Sequence, residues 1–321
     1  MTMDNVFVTG ANGLLGTNLV LMLLGKGFGV VALVRRKGSF VNPELKNLHL
    51  LEGDLLSKDK LNMGICGCRY VVHVAANTSQ NLLSMEDYSD ANVTGTRNII
   101  EACIKNNVEK LVYIGTANTY GYGSISDPGN EELPMRSPFT MSFYAMSKKQ
   151  AQDIVDKASS ELNVTTISPT FMMGPFSKKN GSGKLLHMAL DKRVVFYPGG
   201  GKNFVYVGDV ARAIIKAFDL KESGQKFLIA NENLTYREFF KKVAEHNRQK
   251  TVLILIPNLI LRFAGRVGDL CRFLKIPVDF SSVNTKILTV KNFYSNDKAK
   301  KNLGMDFTPL DQVLDDIIAV G

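Results

Sequence analysis

Two side chains four residues apart are suited to moving a proton: Tyr144 and Lys148, in Phe143-Tyr144-Ala145-Met146-Ser147-Lys148. On a helix that spacing puts both on one face. A phenol with the ordinary pKa of about 10 exchanges protons poorly at neutral pH unless a neighbouring cation stabilises its phenolate. Lys148 is placed to be that cation, which would make Tyr144 a general acid or base. The bare spacing is a common accident; its weight comes from the β-branched run upstream, Leu111-Val112-Tyr113-Ile114, which ends in Gly115-Thr116. A hydroxyl at that strand end could hydrogen-bond a substrate oxygen and share it with Tyr144. Thr116 is therefore expected as the third member, against the plainer reading that it closes the strand.

A second chemistry lies near the N-terminus. Behind the first strand-like run comes Thr9-Gly10-Ala11-Asn12-Gly13-Leu14-Leu15-Gly16. Glycine spaced this way at a strand-to-helix turn lets the backbone approach a pyrophosphate, and the helix start offers unpaired amides. Gly10, Asn12, Gly13, Leu14, Leu15 and Gly16 are the expected dinucleotide contacts, with purely structural glycines as the alternative. At the end of the second strand an acid would read a ribose 2′-hydroxyl, whereas Arg would pair with a 2′-phosphate. The sequence there is Val34-Arg35-Arg36-Lys37, without an acid. NADP is expected over NAD, through Arg35 first and Arg36 second, unless both are simply solvated.

These groups need a scaffold that brings strand ends together. Short β-branched runs alternate with longer helical patterns through the first half: Val6–Thr9, Leu14–Gly25, Val30–Val34, Leu48–Glu52, Val71–Val74, Tyr88–Asn106, Lys110–Ile114, Phe143–Leu162 and Val164–Ser168. Such alternation predicts right-handed crossovers and an α/β fold with a doubly wound, Rossmann-type parallel sheet. After Pro169 the rhythm is lost amid Gly181-Ser182-Gly183 and Gly199-Gly200-Gly201. The expected division is a dinucleotide-binding domain over 1–170 and a smaller, mainly substrate-binding lobe over 171–321, interleaved with the last sheet elements at about 204–232. A helix over Asp209–Leu220, a strand over Lys226–Ala230 and a helix over Thr235–Gln249 are expected, the last started by Thr235 with Glu238 three residues on.

Bulk properties narrow the field. The 321 residues are 45% hydrophobic and 21% charged, ordinary for a folded protein. A net charge of +9 suits nucleic acid, an anionic membrane or a phosphorylated ligand, but no aromatic-interleaved basic motif supports nucleic acid. Cysteines at 66, 68, 103 and 271 lack the second pair or nearby histidines of a zinc site, so no metal is expected and free thiols in a reducing compartment are. The first strand starts too early for a signal peptide. The most apolar stretch, Val252–Leu261, is too short to span a bilayer and is broken at Pro257-Asn258. A lobe helix is expected there, ahead of a dimer contact or a shallow membrane contact. The location implied is cytoplasmic.

With glycine loop, strand-end hydroxyl and Tyr-x-x-x-Lys in this order, the chain resembles the extended short-chain dehydrogenase/reductase family. The likeness points to its branch of dihydroflavonol reductase-like and 3β-hydroxysteroid dehydrogenase-like proteins with related sugar epimerases. It runs nearly end to end, through Gly53-Asp54-Leu55, His73-Val74-Ala75-Ala76, Asn92-Val93-Thr94-Gly95-Thr96, Ser168-Pro169, Gly174-Pro175 and Val207-Gly208-Asp209. The resemblance implies that Asp54 and Leu55 flank an adenine, that Ala75 and Ala76 line the cofactor cleft, and that Pro169 and Thr170 lie near a nicotinamide. It also implies that Tyr144 and Lys148 touch the cofactor, and that copies could pair as a homodimer through 85–106 and 143–160. His73, Asn92 and Asp209 are expected to be structural. Three departures stand out: Thr116 where the family often carries Ser, either residue providing a hydroxyl; Ser168 where many members carry Arg; and Ala117-Asn118 where sugar-nucleotide dehydratases carry Asp and Glu, which argues against dehydration.

The expected protein is an NADP-dependent oxidoreductase acting on a small carbonyl or secondary alcohol. A nucleotide-sugar epimerase that retains its cofactor, and a non-catalytic dinucleotide sensor, are the alternatives.

Overall fold

The computed structural model describes residues 3–177, 181, 183–276, 278 and 280–320. Seven strands build one sheet: β1 (Asn5–Thr9), β2 (Gly29–Val34), β3 (Leu48–Glu52), β4 (Tyr70–His73), β5 (Lys110–Ile114), β6 (Val164–Pro169) and β7 (Gln225–Ile229). Their order is β7-β6-β5-β4-β1-β2-β3, and every neighbouring pair is parallel. Both faces are covered, which is why the strands read as nearly unbroken apolar runs. Alternation assigns the sides. Val6 and Val8 join the core beneath the Leu14–Gly25 and Val207–Ala217 helices, while Phe7 joins the one containing Ile65, Ile99, Cys103 and Val155.

Because all seven strands run the same way, their carboxyl ends share one edge, and chain order reverses between β1 and β4. A crevice forms at such a point. The β3-to-β4 connection holds a helix unforeseen in the sequence, Lys58–Ile65, with Leu61 and Ile65 buried. The expected 88–106 helix begins as Glu86–Tyr88, passes through a wider π turn at Ser89–Thr94 and continues as Gly95–Lys105.

Beyond β6, short strands Phe171–Met173, Gly201–Tyr206, Glu232–Thr235 and Lys291–Asn292 make a second sheet. It packs on the Tyr236–His246 helix, with Phe204 stacked on Phe239 at 4.4 Å. That helix has the expected start: Thr235 and Glu238 form a reciprocal capping box. Ser182 of the glycine-rich punctuation lies outside the described residues.

The expectation for Val252–Leu261 is corrected. Val252–Leu255 is a strand paired in parallel with Val194–Tyr197, and the helix starts only at Asn258 and runs to Phe273. Pro257 explains the break, since a proline disfavours helical backbone at the residue before it. Among the described residues no helix is long and apolar enough to cross a membrane.

Candidate active site

The glycine loop leaves β1 at its carboxyl end. Gly10 has φ +66°, and a Cβ there would stand 2.8 Å from the backbone of Ala75, so the loop after β4 lies directly against it. At Gly16 a Cβ would meet the Gly10 carbonyl oxygen at 2.1 Å. Both positions require glycine because backbone fills the space a side chain would need. Gly13 caps the Leu14–Gly25 helix without a side-chain hydrogen bond, and the first turn holds no acid. The amides of Leu14, Leu15 and Gly16 thus lack a partner within the helix, a setting that suits an anion. Asn12 ties the loop to the chain after β2, its Nδ2 donating to the Ser39 hydroxyl at 2.9 Å. Arg35 and Arg36 begin that segment and are exposed.

The remaining strand ends fall on the same edge. Asp54 follows β3, where its Oδ1 accepts from the amides of Leu56 and Ser57 and so caps its own turn. Leu55 is buried, and a Cβ on Gly95 would lie 2.8 Å from its side chain. Ala75 and Ala76 follow β4. A buried chain of hydrogen bonds fixes that end: the Ala75 amide donates to Thr9 Oγ1 at 3.0 Å, which meets His73 Nδ1 at 2.8 Å. His73 Nε2 lies 3.1 Å from Thr96 Oγ1, which donates to the Asn92 carbonyl at 2.7 Å. Donors and acceptors match along this chain only with the ring proton on Nε2. Burial, reinforced by the nearby Lys148 charge, lowers the His73 pKa to about 3, so the ring stays neutral. Asn92 Nδ2 donates to Ser147 Oγ at 2.8 Å, which joins the π turn to the helix that carries Tyr144.

That helix, Phe143–Ala158, is capped by Ser142, whose hydroxyl accepts from the Ala145 amide. Positions 144, 148 and 152 face the end of β5. Lys148 Nζ donates to the Ile114 carbonyl at 2.7 Å and sits 4.3 Å from the centre of the Tyr113 ring. Gln152 receives the Thr119 hydroxyl at 2.9 Å and donates to the Tyr120 hydroxyl at 3.0 Å. Thr116 is brought beside Tyr144 as expected, close enough that its hydroxyl favours the phenolate.

Burial works against the expected charge on both groups. Burial pushes the Tyr144 phenol up to about 12, opposed chiefly by the Thr116 hydroxyl rather than by Lys148. Lys148 is itself pulled down to about 7 by burial. The same desolvation that brings the two groups together penalises the charge on each, so the ammonium is a weaker cation than its spacing suggested.

At the β6 end, Pro169 pairs with Ile229. Thr170 Oγ1 donates to Asn203 Oδ1 at 2.7 Å, an oxygen that also takes the Asn231 amide. Ser168, at the departure from the family pattern, is fully buried, and a Cβ on Gly115 would stand 2.5 Å from its Oγ. Asp209 is likewise buried and holds the Thr308 amide and hydroxyl, both at 2.8 Å.

Tyr144 opens into a cavity of about 410 Å³ lined also by Leu82, Tyr88, Phe143, Arg272, Phe273 and Asn284. Of these, Tyr88 and Arg272 were not singled out in the sequence. The Tyr88 ring centre lies 6.4 Å from that of Tyr144, and Arg272 Nη2 donates to the Leu82 carbonyl at 2.6 Å. Lys202, which is not part of that cavity wall, lies 5.4 Å from the Phe171 ring, and burial lowers its pKa to about 8. None of the three belongs to a local motif, so composition and spacing carried no signal for them.

A parallel sheet with a glycine turn at its reversal point, and a tyrosine and a lysine on the helix after β5, is the arrangement of a nucleotide-dependent short-chain oxidoreductase. The sequence model of the NAD dependent epimerase/dehydratase family matches residues 6–231, and the chain belongs to that family. It is an NAD(P)-dependent enzyme of the extended short-chain dehydrogenase/reductase type. A putative dihydroflavonol 4-reductase of Synechocystis sp. is 26% identical, with 98% of this chain and 94% of that protein aligned. A 2-alkyl-3-oxoalkanoate reductase of Shewanella oneidensis is 30% identical over 82% of this chain and 71% of its own length. Among solved structures, the UDP-glucose 4-epimerase of Thermotoga maritima superposes with a TM-score of 0.79 at 21% identity, covering 98% of this chain and 97% of that one, a likeness of fold.

Proposed function

We propose that this enzyme reduces a carbonyl to a secondary alcohol, with NADPH as the preferred reductant. One observation carries the reading: the Tyr144 hydroxyl stands beside Thr116 at the cavity wall, one helical turn from Lys148. A general acid must carry its proton before transfer, as a phenol does at neutral pH, and must be placed to give it up to the substrate oxygen.

The residues present suit a dinucleotide. The amides of Leu14–Gly16 and the close turn at Gly10, Asn12 and Gly13 would take the pyrophosphate, and Arg35 with Arg36 the 2′-phosphate. Asp54 and Leu55 would border the adenine; Ala75, Ala76, Pro169 and Thr170 would line the rest of the cleft. A bound nicotinamide supplies the hydride. Thr116 orients the substrate oxygen, Tyr144 releases its proton to that oxygen as the carbon is reduced, and Lys148 holds the ribose and stabilises the phenolate left behind.

The test compares the wild type with Tyr144→Phe, using NADPH and a panel of ketones and aldehydes. Removing a general acid should lower kcat by roughly 10²- to 10⁴-fold, with NADPH affinity unchanged. The group titrates near 12, so Tyr144 should impose no loss of reductive turnover between about pH 6 and 9. Equal activity in the variant would sink the proposal. Dinucleotide retained through purification, without net NADPH consumption, would identify an epimerase instead.

A further inference from the structure

The Asn258–Phe273 helix is apolar on two opposite sides. Leu261, Gly265 and Gly268 are buried against the segment that follows: a Cβ on Gly265 would stand 2.8 Å from Ser282 Cα, and one on Gly268 2.3 Å from the Phe280 carbonyl oxygen. Leu259, Phe263, Val267, Leu270 and Leu274 recur at the same intervals of four and three. At about 100° per residue their stripe lies roughly opposite the buried one. It is bare: Leu259 is 77% exposed, Phe263 69% and Phe273 at the helix end 83%.

The strand leading into this helix extends the surface. Val252 pairs with Val194 and Ile254 with Phe196, and all four side chains are exposed, whereas Val195 and Leu253 on the other face pack inward. Single exposed apolar residues are ordinary, but an exposed stripe running the length of a helix, entered through a strand pair that is also apolar outward, marks a place where something binds.

The charges around it say what. Between residues 248 and 276 the sequence carries six Lys or Arg and one Asp, and that Asp, Asp269, accepts the Ser282 amide. Arg262 and Arg266 border the apolar stripe, Lys275 follows it, and Lys192, Arg193 and Lys250, with Asp191 beside them, stand at the far end of the strand pair, all exposed. Two copies meeting through this face by two-fold symmetry would bring these cations together, which disfavours a self-contact. An apolar face rimmed by cations fits a bilayer surface with anionic headgroups.

We propose that this face docks on an anionic lipid bilayer, lying in the interface and not crossing it. The same helix ends at the active-site cavity, whose wall includes Asp269, Arg272 and Phe273. Docking therefore sets the Tyr144 cavity beside the membrane surface.

The experiment pellets the full-length protein with vesicles of phosphatidylcholine alone or mixed with phosphatidylglycerol. The protein should bind the mixed vesicles at low salt and release as salt screens the cations. Leu259→Glu with Phe263→Glu should lower binding by about tenfold or more. Arg262→Glu with Arg266→Glu should lower it on mixed vesicles only. All four positions are exposed, so circular dichroism and NADPH binding should match the wild type in both variants. No pelleting with mixed vesicles, or equal pelleting by the Leu259→Glu, Phe263→Glu variant, overturns the proposal. A concentration-dependent dimer that these substitutions abolish would assign the face to a second copy and overturn it too.

Discussion

The ammonium of Lys148 is hydrogen-bonded to the carbonyl of Ile114 at 2.7 Å, which fastens the Phe143–Ala158 helix to the end of β5. One turn back along the helix and two residues on along the strand, Tyr144 meets Thr116. One turn forward, Gln152 holds Thr119 and Tyr120. Three consecutive turns of the helix are thus tied to the chain leaving β5. The hydroxyls of Tyr144 and Thr116 are placed by this register, so their geometry is paid for in folding.

Lys148→Met follows from that register. The lysine is buried with its pKa lowered from 10.5 to about 7. Below pH 7 the folded and unfolded chains both carry the proton, and the folded one bears a desolvated charge. Between pH 7 and 10.5 the unfolded chain holds more protons, so stability attributable to this group rises with pH. The Met variant should exceed the wild type in Tm most at pH 6 to 7, with the gap closing toward pH 10. It should also lose most of its turnover. Thermal unfolding across that range checks the first expectation, and a difference in Tm independent of pH would refute it.

Much of the fold was legible because the parallel strands are buried on both faces and written in β-branched runs: β3 and β5 have the bounds their residues suggest. The glycine loop was legible because backbone crowding leaves glycine no substitute at Gly10 and Gly16. The Val252–Leu255 strand was not, since a short apolar run fits strand and helix equally and its partner, Val194–Tyr197, lies far away in the chain. The pairing of Tyr144 with Thr116 could be read from order along the chain. The lowered pKa of Lys148 could not, because desolvation is created by neighbours that only folding supplies. Tyr88 and Arg272 reach the cavity from distant elements for the same reason.

Gly10→Ala should be severe for its size. The methyl group would stand 2.8 Å from the Ala75 backbone on a residue at φ +66°, and neither neighbour is a side chain that can turn aside. A cost of about 1–3 kcal/mol is expected from strain and overpacking. The glycine loop and the loop after β4 would separate, so NADPH affinity should fall by at least about tenfold. Fluorescence titration of NADPH, alongside denaturant unfolding, separates the two effects. Wild-type affinity in the variant would show that this turn does not shape the dinucleotide site.

Arg35→Ser tests the reading of the cofactor. Arg35 follows β2 and is exposed, so its removal should leave stability within about 0.5 kcal/mol. A charge-assisted contact to a 2′-phosphate is worth roughly 1.5–3 kcal/mol, which corresponds to a fall of about 10- to 100-fold in kcat/KM with NADPH. Turnover with NADH should be unchanged. The ratio of the two kcat/KM values is the measurement. Parallel losses with both cofactors would assign Arg35 to another role.

His73→Leu separates a structural histidine from a catalytic one. The neutral ring links Thr9 at 2.8 Å to Thr96 at 3.1 Å, and its pKa is lowered from 6.5 to about 3. As pH falls below 6.5 the unfolded chain takes up a proton that the folded chain refuses until about pH 3. The stability this group contributes is therefore present above pH 6.5 and lost on acidification. Leucine leaves Thr9 and Thr96 each short of a buried partner, a cost of about 1–3 kcal/mol at neutral pH. The variant should also lose less of its remaining stability between pH 6.5 and 4 than the wild type does. Its kcat with NADPH should stay within a few-fold, since the ring is buried between Thr9 and Thr96 and is not part of the cavity wall that holds Tyr144; a collapse of kcat in a stably folded variant would move His73 into the catalytic set.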